Sequence, residues 1–314
     1  MKILVTGGLG FIGHNIVCIL ENSGHEVSII DNQTDYGIIP ETELNYLMSE
    51  RGKKILTQNI VLSDITHPLD DQLFLGVDVV VHLASFPRQK VVNKNPVVGS
   101  RVMSEGLLNL LEMSVKHKVK RFVYVSSSMV YGNFDHISIK EDAVCNPIGQ
   151  YGIMKLAGEW LVKDYSRQYG LDYTIVRPSA VYGPYDVEDR VISKFFAAAM
   201  RGDKLMVNGA NEALDFTFVD DTAMGIVLAA TSENSVNKTY NISRGKSHTL
   251  LEAATLVAKI VGKGSVAIND RDMSYPVRGQ LNIQQAKKDL GYIPAVDLEE
   301  GLVKYYKWLK QVKL

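Results

Sequence analysis

The residues best suited to chemistry are Tyr151 and Lys155, four positions apart, and a run of serines from Ser126 to Ser128. Residues four apart on a helix share a face, so the Lys155 ammonium is expected beside the Tyr151 phenol. A nearby positive charge stabilises a phenolate and lowers the tyrosine pKa, as a general base acting on an alcohol requires. The pattern predicts proton removal from a hydroxyl. An exposed helix with a packed tyrosine is the alternative, because Tyr-x-x-x-Lys is common by chance.

A glycine-rich turn near the N-terminus supplies the context for these residues. Residues 3–5 form a short apolar run typical of a buried strand, and the segment TGGLGFIG follows from Thr6 to Gly13. Gly7 permits the tight turn, Gly10 lets the backbone approach a pyrophosphate, and Gly13 lets the next helix pack on the strand. The N-terminus of that helix would face the diphosphate. The turn predicts a dinucleotide site, with an ordinary strand-to-helix turn as the alternative.

An aspartate at the end of the second predicted strand indicates which dinucleotide is bound. The strand at 26–30 ends at Asp31, which lies 18 positions beyond Gly13. Dinucleotide folds place a carboxylate near this position on the adenosine ribose. A carboxylate there repels a 2′-phosphate, and neither Asn32 nor Gln33 offers the phosphate a positive charge. We therefore predict NAD rather than NADP, unless Asp31 is only a solvated strand end.

Composition limits the class of protein. The chain has 314 residues, of which 46% are hydrophobic and 22% charged, and its net charge is −1. These values predict a globular fold and give no sign of a nucleic-acid or membrane partner. No signal peptide or membrane-length apolar run is visible, so a cytoplasmic location is expected. Cys18, Cys145 and the seven histidines show no metal-ligand spacing, so no metal site is predicted.

Strands and helices alternate along the first half, which predicts an α/β fold with a Rossmann-type doubly wound parallel sheet. Strands are expected at 3–5, 26–30, 54–58, 78–84, 120–128 and 172–177, helices after Gly13 and at 98–119, 149–169, 190–201, 220–232, 249–261 and 297–311, and an irregular polar stretch at 35–52. We predict an NAD-binding domain over 1–177 and a smaller C-terminal α/β substrate lobe over 178–314, with the chain crossing back between them.

Several motifs in order resemble the extended short-chain dehydrogenase/reductase family, and within it the NAD-dependent nucleotide-sugar epimerases, dehydratases and 4-dehydrogenases. They are Thr6–Gly13, Asp31–Asn32, Asp64–Ile65, His82–Ala84, Ser126–Gly132, Tyr151 with Lys155, Arg177–Pro184, Asp215–Asp221 and Arg278–Pro294. The resemblance implies that the protein binds NAD and a nucleoside-diphosphate sugar. It also implies that hydride passes from C4 of the sugar to the nicotinamide.

The resemblance further implies a role for individual residues. Ser127, Tyr151 and Lys155 would be catalytic, and Lys155 would also bind the nicotinamide ribose. The implied cofactor-binding residues are Gly7, Gly10, Phe11, Ile12, Gly13, Asp31, Asn32, Asp64, Ile65, Leu83, Ala84, Ser85, Tyr151 and Lys155. The implied substrate-binding residues are Arg88, Ser127, Ser128, Ser179, Arg190 and Arg278, with Arg278 expected on the diphosphate.

Departures from the family pattern narrow the expected reaction. Where 4,6-dehydratases have an Asp-Glu pair, this chain has Ser128 and Met129. The epimerase-reductases that make GDP-fucose have a cysteine at the position of Met129 and a histidine near Arg190, and this chain has neither. Many relatives have Asn at Ala180 and Arg at Leu214, so an unusual sugar is expected. We expect a 4-dehydrogenase acting on a hexose or heptose, with a GDP-linked heptose as one candidate. A 4-epimerase is the alternative.

Two further expectations concern partners. A dinucleotide-binding regulator without catalysis is a remote alternative, which the presence of Ser127, Tyr151 and Lys155 disfavours. The helices at 98–119 and 149–169 carry apolar residues beyond one core-facing stripe. In the family these helices pair into a four-helix bundle, so a homodimer is expected, with a thicker protein core as the alternative.

Overall fold

A computed structural model describes residues 1–134, 138–187 and 189–312. The strands are β1 Lys2–Thr6, β2 Glu26–Asp31, β3 Ile60–Leu62, β4 Val79–His82, β5 Arg121–Val125, β6 Ser138–Ile139, β7 Asp172–Pro178, β8 Val181–Tyr182, β9 Lys204–Asn208, β10 Ala213–Leu214, β11 Thr217–Phe218, β12 Lys238–Ile242, β13 His248–Thr249, β14 Ser265–Asn269 and β15 Gln280–Leu281. The α-helices are α1 Gly13–Asn22, α2 Glu41–Gly52, α3 Gln89–Lys94, α4 Pro96–Ser100, α5 Gly106–Lys116, α6 Gln150–Tyr169, α7 Val191–Arg201, α8 Val219–Thr231, α9 Leu250–Val261, α10 Gln284–Leu290 and α11 Leu298–Leu309.

The centre of the molecule is a seven-stranded sheet in the order β12-β7-β5-β4-β1-β2-β3. Neighbouring strands are parallel throughout, and the strand order reverses between β1 and β4. The apolar run Ile3, Leu4 and Val5 is buried on both faces, because helices cover both sides of a parallel sheet. The predicted Rossmann-type doubly wound α/β fold is therefore confirmed.

Two apolar clusters lie on opposite faces of this sheet. One contains Ile16 and Val17 of α1 with Ile226 of α8, and the other contains Leu107 of α5 with Val162 of α6. Side chains alternate between the faces along a strand, so the inner strands β1, β2, β4, β5 and β7 contribute to both clusters. The packing leaves the carboxyl ends of the strands as the open edge at which loops gather.

The C-terminal region has an apolar cluster of its own, built from α7, α9, α11 and β9. Phe196, Val257 and Leu302 are buried at its centre. However, α8 and β12 also lie after residue 178, and both pack on or within the seven-stranded sheet. The division into two domains at residue 177 stays a prediction.

Some predictions of secondary structure are wrong. The third strand of the sheet is not 54–58 but Ile60–Leu62, and Leu56 of the predicted strand is 71% exposed. The stretch 35–52, expected to be irregular, contains the helix Glu41–Gly52. This helix buries Glu43 and Arg51 beside Leu47, so its inward face does not read as an apolar stripe.

The long helix expected at 98–119 is also interrupted. Residues Arg101–Glu105 form a π-helical segment between α4 and α5.

Within the described residues, no helix combines the length and hydropathy needed to cross a membrane.

Candidate active site

A cavity of about 770 Å³ opens at the carboxyl ends of the central strands. It lies where the strand order reverses, which is the usual ligand position in open parallel sheets. Its lining includes, among the residues predicted from sequence, Gly7, Gly10, Phe11, Ile12, Gly13, Asp31, Asn32, Ile65, Leu83, Ala84, Ser85, Arg88, Ser127, Ser128, Tyr151, Lys155, Arg190 and Arg278. The fold thus brings together residues that are far apart in the sequence.

Two predicted site residues do not belong to this lining. Asp64 lies nearby and accepts hydrogen bonds from the amide of Thr66 at 2.9 Å and from the side chain of Asn32 at 3.1 Å. It therefore fastens Asn32, which does line the cavity. Ser179 is buried behind the wall, whereas its neighbour Ala180 faces the cavity.

The glycine-rich turn forms a cradle with no room for side chains. Gly7 has a φ of +73°, and its amide donates to the carbonyl of Ile30 at 2.7 Å. A Cβ on Gly13 would lie 2.1 Å from the carbonyl oxygen of Gly7, so only glycine lets α1 start this close to β1. The backbone can therefore approach a pyrophosphate, and the residues present fit a dinucleotide cofactor.

Asp31 ends β2 at the edge of the same cradle. It is 8% exposed, and its two carboxylate oxygens accept hydrogen bonds from the amides of Leu9 at 2.9 Å and Gln33 at 2.7 Å. Burial raises its pKa, which those amides and the charge of Arg51 oppose. Each oxygen keeps a lone pair for a ribose hydroxyl.

The proposed catalytic residues meet in the wall of the cavity. The hydroxyl of Ser127 lies close enough to the phenol of Tyr151 to lower its pKa, and the same hydroxyl oxygen accepts a hydrogen bond from the amide of Met129 at 3.2 Å. Lys155 is buried and donates from Nζ to the carbonyl of Val125 at 2.8 Å. The end of β5 and the first turns of α6 thus set the three side chains side by side.

The electrostatics of this group differ from the sequence expectation. The sequence predicts that Lys155 lowers the pKa of Tyr151, whereas in the structure burial raises it. The charge of Arg190 and the hydroxyl of Ser127 oppose this rise. Burial also lowers the pKa of Lys155 to about 7, against the raising influence of Glu159. A lysine with this pKa carries only part of its charge near neutral pH, so its effect on the phenol is smaller than expected.

A buried ion pair lies next to Ser126 and explains which serine hydroxyl is free to contact Tyr151. Arg177 donates to the two carboxylate oxygens of Glu159 at 2.9 and 2.6 Å. Ser126 donates to the same carboxylate at 2.6 Å, so its hydroxyl is already engaged. Ser127 is the neighbouring hydroxyl that is left to contact Tyr151.

Three arginines predicted to bind substrate, Arg88, Arg190 and Arg278, line the cavity. Arg88 pairs with Asp189 at 3.1 Å, and Arg190 pairs with the buried Asp186 at 2.8 Å. Burial lowers the pKa of Arg278 to about 10. Among the described residues, Nε of Arg278 and both Nε and Nη2 of Arg88 are buried without a hydrogen-bond partner. Such unpaired donors suit an anionic ligand.

Sequence reasoning missed several residues of the site. Arg51 lines the cavity from the helix that was not predicted, and Tyr36 stacks on Phe86 with ring centres 3.9 Å apart. Gln89 donates to the carbonyl of Ser274 at 3.0 Å. Its side chain also fills the space that a Cβ on Gly149 would need. No motif marks these positions, because their roles come from tertiary packing.

The fold, the glycine cradle and the Ser-Tyr-Lys group define a dinucleotide-dependent enzyme of the short-chain dehydrogenase type. Residues 3–243 match the NAD dependent epimerase/dehydratase family, and the chain belongs to that family. The predicted NAD cofactor is therefore confirmed, and the family match argues against the regulator without catalysis.

Similar proteins span more than one reaction. A protein of Methanocaldococcus jannaschii named putative UDP-glucose 4-epimerase is 32% identical over 98% of this chain and 98% of its own length. The dTDP-glucose 4,6-dehydratase of Streptomyces niveus is 29% identical over 99% of this chain and 93% of its own. The structure of UDP-glucuronic acid 4-epimerase from Bacillus cereus, in complex with UDP-glucuronic acid and NAD, has a TM-score of 0.91 at 29% identity and covers 99% of both chains. Their shared fold does not select one reaction for this chain.

Proposed function

We propose that this protein oxidises the C4 hydroxyl of a nucleoside-diphosphate sugar. The observation that carries the proposal is the placement of Ser127 next to Tyr151 and Lys155 in the cavity wall. The residues that follow Ser127 are Ser128 and Met129 rather than further acid–base groups. Such a set can move a proton on one hydroxyl, and it has no acid–base pair for the neighbouring carbons.

In the proposed reaction, Tyr151 removes the proton from the sugar hydroxyl while Ser127 holds the same oxygen. When bound, NAD supplies the hydride acceptor. The buried ammonium of Lys155 supports the developing phenolate, and Arg190 adds a second positive influence on the same phenol. The glycine cradle and Asp31 hold the cofactor so that the reacting atoms meet.

The arginines on the substrate side are proposed to bind the diphosphate of the sugar nucleotide. Arg88, Arg190 and Arg278 all line the cavity, and buried donor groups on Arg88 and Arg278 have no partner among the described residues. A guanidinium can bond two phosphate oxygens at once, which suits a diphosphate.

Two net reactions can follow this oxidation. The first candidate is a 4-dehydrogenase, which releases the 4-keto sugar. Ala180 and Leu214 line the cavity with apolar groups, and these cannot hydrogen-bond a sugar to retain the ketone. A GDP-linked heptose is one substrate candidate.

The second candidate is a 4-epimerase, in which the ketone turns over and takes hydride back on its other face. The names of the Methanocaldococcus jannaschii and Bacillus cereus relatives favour this reaction. It needs no net change of cofactor, whereas a dehydrogenase accumulates reduced cofactor.

One experiment separates these candidates. The purified protein with its cofactor is mixed with a panel of UDP-, GDP- and dTDP-sugars, and reduced-nicotinamide absorbance is followed while NMR identifies the products. Reduced cofactor with a 4-keto product establishes a dehydrogenase, and a C4-inverted sugar without net reduction establishes an epimerase. If no sugar nucleotide in the panel reacts, the proposed substrate class is wrong. Tyr151→Phe is the control, because it should lose turnover and keep NAD.

We also propose that the protein forms a homodimer through the helices α4 to α6. Trp160 and Ile153 on α6 are 65% and 53% exposed, and Val97 on α4 is 74% exposed. Large apolar side chains on neighbouring helices suit a four-helix bundle with a second copy.

A further inference from the structure

Arg51 joins two parts of the site that are distant in sequence. It lies in the last turn of α2 and is 3% exposed. One guanidinium nitrogen donates to the carbonyl of Leu9 in the glycine turn at 3.3 Å, and another donates to the carbonyl of Tyr185 at 2.7 Å. A single side chain therefore bridges the cofactor turn and the loop that begins after β8.

The contact with the glycine turn also involves the ribose carboxylate. The amide of Leu9 donates to Asp31, and the carbonyl of the same residue accepts from Arg51. Oppositely charged groups therefore hold the two peptide units on either side of the Leu9 Cα. Because Gly10 follows directly, the backbone that would face the pyrophosphate is fixed by the same pair.

The other contact fixes the segment 183–187. Tyr185 has a φ of +68°, which is uncommon for a residue with a side chain. Its ring packs 5.4 Å from the ring of His14 and 5.0 Å from that of Trp308, and Nζ of Lys54 lies 4.1 Å from its centre. Side chains from both halves of the molecule therefore hold Tyr185 where its carbonyl meets Arg51.

The same segment leads to the substrate side. Asp186 follows Tyr185 directly and pairs with Arg190, whose guanidinium lies 5.6 Å from the ring centre of Phe11 in the glycine turn. Burial lowers the pKa of Arg51 to about 10, and the charges of Asp186 and Asp31 oppose this change. Burying a charge is costly, and the carboxylates of Asp31 on the cofactor side and Asp186 on the nucleotide side offset part of that cost for Arg51.

We propose that Arg51 is a positioning residue that couples NAD binding at the glycine turn to nucleotide binding at Arg190. The turn that binds NAD holds Arg51 through the Leu9 carbonyl, and Arg51 holds the segment that carries Asp186. Coupling of this kind is reciprocal in affinity, so a bound nucleotide must also tighten NAD binding, and slower loss of NAD is the expected readout. The inference rests on the proposed nucleotide-sugar substrate but not on the net reaction.

The test measures NAD release rather than turnover. Bound NAD is exchanged for added NADH, followed by nicotinamide fluorescence, with and without saturating UDP, GDP or dTDP. In the wild-type protein at least one of these nucleotides should slow exchange by about 5-fold or more. In Arg51→Met, exchange should be about 10-fold faster and should no longer respond to the nucleotide. Arg51→Lys should regain part of the response, because an ammonium can bond one of the two carbonyls.

Arg201→Met is the matched control, since Arg201 is an exposed arginine at the end of α7 that pairs with Asp203, and it should leave exchange unchanged. A folded Arg51→Met protein with wild-type exchange, or with the wild-type response to nucleotide, overturns the inference. If Arg51→Met does not fold, Trp308→Leu loosens Tyr185 from outside the cavity and should also speed exchange; unchanged exchange there overturns the inference. Nucleotide binding without any effect on NAD release refutes this inference alone, whereas no binding of any nucleotide refutes the proposed function as well.

Discussion

Replacing Arg177 with methionine removes one half of a fully buried ion pair. Glu159 would keep a carboxylate that is shielded from water and has lost its two hydrogen bonds to the guanidinium. Breaking a buried pair in this way costs about 3–5 kcal/mol. The side chain of Tyr131 and the carbonyl of Glu141 also lose a donor, at about 1 kcal/mol each.

This cost converts into a measurable shift of the melting temperature. The unfolding entropy is about 2.1 cal/mol/K per residue, or roughly 0.66 kcal/mol/K for the 314 residues of this chain. Together with the two lost hydrogen bonds, the total loss of about 5–7 kcal/mol lowers the melting temperature by about 8–11 °C. The assay is differential scanning calorimetry with NAD at the same saturating concentration for every variant, because bound ligand adds stability.

The exposed pair of Arg201 and Asp203 provides the comparison. Its arginine side chain is 60% exposed, so Arg201→Met should change stability by less than about 0.5 kcal/mol. Combining Arg177→Met with Glu159→Gln removes the buried charge that would have no partner. The double variant should therefore lose about 2 kcal/mol less stability than the sum of the two single losses. The reasoning fails if Arg177→Met melts within 2 °C of the wild type, or if the two losses simply add.

Four further predictions address the cofactor site, the catalytic lysine and the dimer. Gly13→Ala should abolish stable NAD binding, measured as cofactor retained after desalting, because the new Cβ would meet a carbonyl oxygen at 2.1 Å; Gly52→Ala, where a Cβ meets nothing within 4 Å, should retain it. Asp31→Ala should weaken NAD binding by about 10- to 100-fold and allow NADP to bind, as titration would show. Burial lowers the pKa of Lys155 to about 7 in the folded protein, so above pH 7 the unfolded chain holds a proton that the folded protein lacks. The free energy of unfolding should therefore rise with pH by about 1.4 kcal/mol per pH unit between pH 7 and the unfolded pKa. Calorimetry should show this rise in the wild type and not in Lys155→Met. Trp160→Glu should turn a dimer into a monomer by size-exclusion chromatography with light scattering, and a monomeric wild type would contradict the proposed interface.

Local patterns in the sequence were sufficient to predict the glycine turn, most of the central strands and the meeting of Ser127, Tyr151 and Lys155 in one cavity. Buried parallel strands are continuous apolar runs, as at Val79–His82. A turn that requires glycine can be recognised from the glycines in its sequence. The carboxyl ends of such strands meet at one edge of the sheet. For these reasons, residues as far apart as Gly7, Ser127 and Tyr151 could be assigned to one cavity before the structure was available.

Features that depend on tertiary packing could not be predicted. The helix α2 turns Arg51 inward, and a buried arginine looks like a surface residue in the sequence. The strand β3 is three residues long, so its register against β2 is set by tertiary pairing rather than by its own pattern. The pKa direction of Tyr151 depends on burial and on Arg190, which lies far from it in sequence.

The position of β12 has a consequence for the nascent chain. Lys238–Ile242 covers the outer edge of β7, so the sheet stays incomplete while the ribosome synthesises everything between them. During that interval β7 presents unpaired backbone groups beside apolar side chains such as Ile175 and Val176. A fragment that ends after β7 would keep this edge open and should aggregate, even though it contains the whole NAD cradle. Premature stop codons upstream of residue 238 should therefore yield insoluble protein rather than an isolated cofactor-binding half.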